Sequence, residues 1–240
     1  MARNFSVPSG GDVYLTFAIA EPALRAQGLS LQTWTSSLVL ARLLHKIAVD
    51  FSSPTPVPVL ELGAGTGLVG LSAAALWKVP VILTDLPPFV SGLAGNVNLN
   101  AATVKDSVLC GSLDWSEPDS LILQDGSHYK ADKHPARIIL AADTVYSEEH
   151  PELLSRTILK WLAPGPSSRA ILTYPLRVAY LDQIRELWDL LEAGGLEAIM
   201  DGQEQDDDVH DWDDECLCEW SVWRWKQDGG RRERVVGTHE

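Results

Sequence analysis

The chain is poor in cysteine, in basic residues and in long apolar runs, and each shortage excludes something. Its three cysteines, Cys110, Cys216 and Cys218, leave one unmatched in any pairing scheme. Cys216 and Cys218 alternate within an apparent strand and so face opposite ways. That excludes a disulfide-stapled secreted domain and gives no zinc spacing, so the three are read as reduced thiols of an intracellular protein. The histidines, His45, His128, His134, His150, His210 and His239, are equally scattered, and no metal site is expected. No apolar run reaches the ~20 residues of a membrane span, and Met1-Ala2-Arg3-Asn4-Phe5-Ser6 lacks the apolar core of a signal peptide. The expected compartment is the cytoplasm, with no membrane partner. Lysine and arginine number 19 against 33 acids, a net charge of −14. Nucleic acid is therefore not expected as a partner, since phosphate binding requires a basic face. A basic protein partner is compatible with that charge, and so is plain solubility.

What is there is a globular composition, with 45% of 240 residues hydrophobic, enough for one large domain and its core. After residue 56, β-rich and helix-periodic segments alternate, which indicates an α/β sheet covered by helices. Strands are expected at Val57–Glu61, Val81–Asp85, Ser107–Ser112, Arg137–Ala141, Ala170–Tyr174, Leu196–Met200 and Glu215–Trp225. Helices are expected at Ser36–Ala48, Leu68–Trp77, Pro88–Asn100, Ser147–Leu162 and Ala179–Ala193. Residues 1–30 read as an N-terminal extension in which Val13–Ala18 forms an edge strand. Residues 31–226 form the domain, and 227–240 a polar tail.

The most informative stretch is Val59-Leu-Glu61-Leu-Gly63-Ala64-Gly65-Thr-Gly67. An apolar strand ends in an acid, three alternating glycines follow, and a helical pattern starts at Leu68. Gly63, Gly65 and Gly67 supply unusual φ angles and bare backbone against which a ligand can lie, with Ala64 between them. The exposed N–H groups at the helix start offer it hydrogen bonds. A dinucleotide turn competes, because Gly65-Thr-Gly67-Leu-Val-Gly70 satisfies G-x-G-x-x-G, but in the wrong register after the strand. Glu61 at the strand end suits an ammonium group better than a diphosphate. The stretch resembles motif I of the class I methyltransferases that use S-adenosylmethionine (AdoMet).

Other candidates follow the later strands. Asp85 stands about twenty residues beyond the turn, where a carboxylate can accept hydrogen bonds from both ribose hydroxyls; the alternative is a helix N-cap. Leu113-Asp114-Trp115 offers an acid for an exocyclic amine and an indole for stacking, or else an ordinary turn with a buried tryptophan. Ala141-Ala142-Asp143-Thr-Val-Tyr146 brings small residues, an acid and a phenol to the reactive edge of the sheet. If a helical turn begins there, Asp143 and Tyr146 share a face; otherwise Asp143 is an N-cap and Tyr146 core. Tyr174-Pro-Leu-Arg177 ends the fifth strand at the same edge, where Arg177 either lines a substrate entrance or is structural.

Together with Gln32-Thr-Trp34 and Asn96-Val-Asn98, these pieces resemble the family 16 methyltransferases over residues 30 to 180. Most characterised members of that family are protein-lysine methyltransferases acting on elongation factors, chaperones and related proteins. The resemblance implies a seven-stranded Rossmann-like sheet with an antiparallel last strand and helices on both faces. It implies AdoMet as cofactor, touching Trp34, Gly63, Asp85, Trp115 and Ala142, while Asp143 and Tyr146 border the target nitrogen. Our expected cofactor set adds Glu61, Ala64, Gly65, Gly67 and Asp114. The Asn-Pro-Pro-Tyr motif of DNA and glutamine methyltransferases is absent. A small-molecule N-methyltransferase and a non-catalytic AdoMet-binding module are the competing functions.

A lysine amine has a reference pKa of about 10.4 and must shed a proton before it attacks. An apolar channel favours the neutral amine, whereas a carboxylate nearby favours the ammonium. Asp143 is accordingly cast as the group that aligns the amine, not as a strong base. Glu204–Glu219 carries Asp206, Asp207, Asp208, Asp211, Asp213, Asp214 and Glu215 without a lysine or arginine, and holds Trp212 in its middle. It is either a solvated loop or a docking patch for a protein substrate that is basic around its target lysine. A monomer is expected.

Overall fold

The computed structural model describes residues 2–23, 25–26, 29–205 and 217–227. The chain opens with β1 (Ala2–Gly10), β2 (Val13–Ala20), β3 (Arg25–Ala26), β4 (Leu29–Ser30) and α1 (Thr35–Leu43). Next come β5 (Val57–Leu62), α2 (Leu68–Trp77), β6 (Val81–Asp85), α3 (Pro87–Leu99), α4 (Ala101–Val104), β7 (Val108–Ser112), β8 (Ser120–Leu123) and β9 (His128–Lys130). The remainder is β10 (Ala136–Ala142), α5 (His150–Trp161), β11 (Arg169–Pro175), α6 (Leu181–Ala193), β12 (Leu196–Gln205) and β13 (Leu217–Trp225).

Among the described residues, nine strands form the main sheet, in the order β12-β13-β11-β10-β5-β6-β7-β8-β9. The pairs joining β7, β6, β5, β10 and β11 are parallel, and β13 runs antiparallel between β11 and β12. The central strands β5 and β10 are buried almost throughout, which is why they read as continuous apolar runs. From β5 the chain moves outward through β6 and β7, then returns to β10 on the other side. The reversal between β5 and β10 opens a crevice at the carboxyl ends of the strands.

Helices cover both faces. Leu40, Leu68, Leu71 and Leu93 of α1, α2 and α3 pack on one face with Val59, Leu140 and Ile171. Leu154, Ile158, Trp161, Leu187 and Leu191 of α5 and α6 pack on the other with Leu60, Ile139 and Leu172. Trp161 is wholly buried and donates its indole N–H to the carbonyl of Pro118 at 2.8 Å, so the ring gains its apolar burial without stranding its one donor.

The expected seven strands and the antiparallel last one are present, but the sheet carries two more. The extra pair, β8 and β9, extends the edge beyond β7. Its signal lay in the sequence: Leu121 and Leu123 are buried and alternate with less buried Ser120 and Ile122, and Asp125-Gly126 turns with Gly126 at φ +85°. The edge strand expected at Val13–Ala18 lies within β2, which pairs with β1 in a separate hairpin and not with the main sheet. Phe5 and Val7 of β1, which packs with α1, and Phe17 and Ile19 of β2, which packs with α2 and α3, are buried in the core. Two buried side chains, Asn96 of α3 and Asn100 just past its end, hydrogen-bond the backbone of β2. Asn96 Oδ1 accepts from the Ala20 N–H at 2.8 Å and its Nδ2 donates to the carbonyls of Ala20 and Thr66, both at 3.0 Å. Asn100 does the same for the Ala18 N–H and carbonyl, at 2.9 and 2.8 Å. Cys216, most of the acidic run (206–216), His210, His239 and most of the tail after Lys226 lie outside the described residues.

Candidate active site

The glycine turn sits at the crevice because β5 ends there. Gly63, Gly65 and Gly67 take φ of 61°, 53° and 86°, the region where a side chain is strained. At Gly63 a Cβ would also stand 3.1 Å from both the Trp115 ring and Thr144, and at Gly67 only 2.7 Å from Leu93. The turn is braced by the Ala64 N–H donating to Thr84 O at 2.9 Å and by a 2.9 Å hydroxyl contact between Thr66 and Thr33.

Two lobes of one cleft meet at Gly63, Asp85, Phe89 and Tyr146, residues that line both. The first lobe is completed by Leu113, Asp114, Trp115, Ser116 and His150. The second holds Gln32, Trp34, Ala64, Gly65, Ala142, Asp143 and Thr144. Thus Trp34, Gly63, Ala64, Gly65, Asp85, Asp114, Trp115, Ala142, Asp143 and Tyr146 all reach the cleft.

Two of the expected residues do not. Gly67 is the N-cap of α2 behind the turn, where its positive φ is its contribution. Glu61 is a correction. It shares its sheet face with Val59, which lies under α2, and its Oε2 accepts the Gly70 N–H at 2.9 Å. The residue is 2% exposed, so it serves the turn from beneath instead of facing a ligand ammonium. Burial, reinforced by the nearby Asp85 charge, pushes its carboxyl up to about 8 against the pull of the Gly70 hydrogen bond.

Asp85 does not cap the next helix, whose N-cap is Leu86. Its Oδ2 accepts from the Gly65 N–H and its Oδ1 from the Leu86 N–H, both at 2.7 Å. Each oxygen keeps a lone pair for a ligand hydroxyl. Burial pushes this carboxyl up to about 6, opposed by those two hydrogen bonds.

In the first lobe, Asp114 is exposed and its Oδ1 accepts from the Ser116 N–H at 2.8 Å and hydroxyl at 2.7 Å. The Trp115 ring stands edge-on to His150 at 5.7 Å, and His150 edge-on to Tyr146 at 4.2 Å. Sequence reading missed His150, which opens α5 and accepts the Tyr146 N–H at Nδ1, 3.3 Å away. Burial lowers its pKa and favours the neutral ring. Arg156 was also missed; it donates to the carbonyls of Trp115 and Ser116 at 3.0 and 3.1 Å, fastening this loop to α5.

In the second lobe, of the two alternatives at Asp143 the helical turn does not form, and α5 begins only at His150. Asp143 instead takes φ +56°, and its N–H donates to Thr173 O at 2.9 Å. Its buried carboxylate accepts two bonds from the Arg177 guanidinium, at 2.9 and 3.1 Å. That guanidinium lies over the Trp34 ring, 5.6 Å from its centroid. Tyr146 stays a neutral phenol, since burial first and the Asp85 and Asp143 charges second push its pKa up to about 12. Among the described residues, no group of three or more His, Cys, Asp or Glu is placed to hold a metal ion, and no helix is long and apolar enough to cross a membrane.

Residues 17–182 match the profile of a family described as lysine methyltransferase. The chain is 37% identical over 209 residues to the protein-lysine N-methyltransferase EFM2 of Saccharomyces cerevisiae, an alignment covering 80% of this chain and 47% of that protein. It is 33% identical over 226 residues to the protein-lysine N-methyltransferase rrg1 of Schizosaccharomyces pombe, covering 93% of this chain and 70% of the relative. The chain thus spans about half the length of the first relative and about two thirds of the second. A solved TehB-like SAM-dependent methyltransferase from Corynebacterium glutamicum shares the fold, with a TM-score of 0.52 at 18% identity over 78% of this chain and 87% of that one.

Proposed function

The chain belongs to the lysine methyltransferase family, and from that premise we propose that it transfers a methyl group from AdoMet to the side-chain nitrogen of a protein lysine. The observation that supports this most is the arrangement of one cleft. A ribose-type acid, Asp85, stands at the junction of two lobes, with an aromatic wall on one side and a buried acid, Asp143, on the other.

The residues present fit AdoMet. Gly63 and Gly65 present bare backbone to the cleft, the free lone pairs of Asp85 match ribose hydroxyls, and Trp115 with Leu113 and Phe89 offers an apolar slot for adenine beside Asp114. The second lobe, with Trp34, Ala64, Gly65 and Ala142, takes the methionine end. When bound, AdoMet supplies a methyl group on a sulfonium that needs no further activation, and the sulfur–carbon bond breaks as the nitrogen–carbon bond forms. The protein aligns the acceptor nitrogen and keeps it neutral. Asp143 accepts a hydrogen bond from the amine, Tyr146 of the same lobe orients it, and the amine's proton leaves to solvent before attack.

The acceptor we propose is a protein basic around its target lysine, in keeping with a net charge of −14 on this chain. Elongation factors, substrates of members that the sequence resembles, are the first to test. We take the enzyme to act as a cytoplasmic monomer. Incubating it with methyl-labelled AdoMet and an extract of its own source tests the reading. Labelled proteins are the expected result. Label found only in small molecules supports an N-methyltransferase of metabolites, and no label at all speaks for a binding module.

A further inference from the structure

The cleft contains three carboxylates, Asp85, Asp114 and Asp143, and no lysine or arginine among the described residues that line it. The positive charge comes from just outside the lining. Thr173 pairs with Ala142 across β10 and β11, so Arg177, a short step past the end of β11, comes back to Asp143. Both ends of the contact are deep: the side chains of Arg177 and Asp143 are 16% and 3% exposed. The fork is bidentate, and the Trp34 face flanks the guanidinium. A carboxylate beside an aromatic face is also what a protonated lysine would seek.

That creates a conflict for the reaction proposed above. An unpaired buried carboxylate would hold the incoming amine as ammonium, which cannot attack. The other groups turned toward this region do not relieve it. Asp85 on β6 adds negative charge, Glu61 on β5 is buried beneath α2, Tyr146 stays a neutral phenol, and burial favours neutral His150 on α5. Resting on that reading of the function, we propose that Arg177 is a positioning residue that occupies the cation place on Asp143, so that Asp143 aligns the acceptor amine without keeping it protonated.

Removing the guanidinium therefore tightens binding of a cation and slows transfer. The first probe is n-butylammonium, the lysine side chain as a free ion, titrated calorimetrically into the protein with and without S-adenosylhomocysteine. Arg177→Gln binds it at least about fivefold more tightly than wild type, and Asp143→Asn/Arg177→Gln loses the gain. The second measurement uses the labelled acceptor protein. Arg177→Gln lowers KM, lowers kcat about tenfold at pH 7, and moves the acid limb of the kcat profile up by about one pH unit, so that the rate recovers at alkaline pH. Arg177→Lys keeps the charge and loses the fork; it shows the same changes in smaller measure and carries the test should Arg177→Gln not fold. Equal n-butylammonium affinity in wild type and variants overturns the proposal, as does a uniform rate loss with an unmoved pH profile. A wild-type protein that labels no acceptor refutes the methyltransferase reading instead, while the amine titration still decides the role of Arg177.

Discussion

Replacing Glu61 by glutamine stabilises the fold above pH 8 and flattens its dependence on pH. The wild-type carboxyl is 2% exposed, and burial raises its pKa from 4.5 to about 8. The folded state therefore holds the Glu61 proton more tightly than the unfolded chain does. The stability this confers is fully present below the unfolded value of about 4.3 and is lost as pH rises through the folded value near 8. At 1.36 kcal/mol per unit, the raised pKa sets a ceiling of about 5 kcal/mol, and relaxation around the ionised group brings the expected loss to about 2–4 kcal/mol. Glutamine keeps an acceptor for the Gly70 N–H, now at 2.9 Å, and has no proton to lose. Urea unfolding of both proteins from pH 5 to pH 9 is the assay. Wild type falls relative to Glu61→Gln from pH 5 to about pH 8, and the two curves run parallel above that. Curves parallel from pH 5 upward would mean that Glu61 is ionised in the folded protein at ordinary pH, and the reasoning from its burial would be wrong.

Three further outcomes are expected. Asp85→Ala weakens AdoMet binding by about 1–3 kcal/mol in calorimetry, the scale for removing one partner from buried polar groups, and NAD shows no comparable affinity for wild type; an unchanged AdoMet affinity would leave Asp85 with its backbone contacts alone. Tyr146→Phe keeps the ring against His150 and costs one hydrogen bond to the acceptor, so turnover falls roughly fivefold while AdoMet affinity holds; full turnover would make Tyr146 a channel wall. Asn96→Ala unties Ala20 and Thr66 together and lowers unfolding stability by about 2–4 kcal/mol, read from the urea midpoint; a loss below 1 kcal/mol would mean that water replaces the amide.

Much of the frame was legible because local signals decide it. The apolar runs of β5, β6 and β10, the alternating glycines and the helix at Leu68–Trp77 are each fixed by neighbours in sequence. The β8–β9 hairpin has a local signal too, the alternation of Leu121 and Leu123 before Asp125-Gly126. Glu61 failed on parity. Its place at the strand end suggested a ligand contact, yet alternation along β5 puts it on the same side as Val59, under α2. Arg177 was ambiguous for a different reason. Its meeting with Asp143 depends on β10 and β11 lying side by side, a non-local fact that no spacing along the chain announces. The same holds for Asn96 and Asn100, whose partners on β2 lie far away in sequence.

The central claim, transfer of a methyl group to lysine at the Asp143 end of the cleft, is tested most directly on the acceptor itself. The labelled protein from the extract is purified in its unmodified form, incubated with AdoMet and either wild type or Asp143→Ala, and mapped by peptide mass spectrometry. The account predicts methylation on the side-chain nitrogen of a lysine by wild type. It predicts loss of most turnover in Asp143→Ala, with AdoMet binding by the variant retained in calorimetry. Methylation on any other atom, or normal lysine methylation by a folded Asp143→Ala protein, would contradict it.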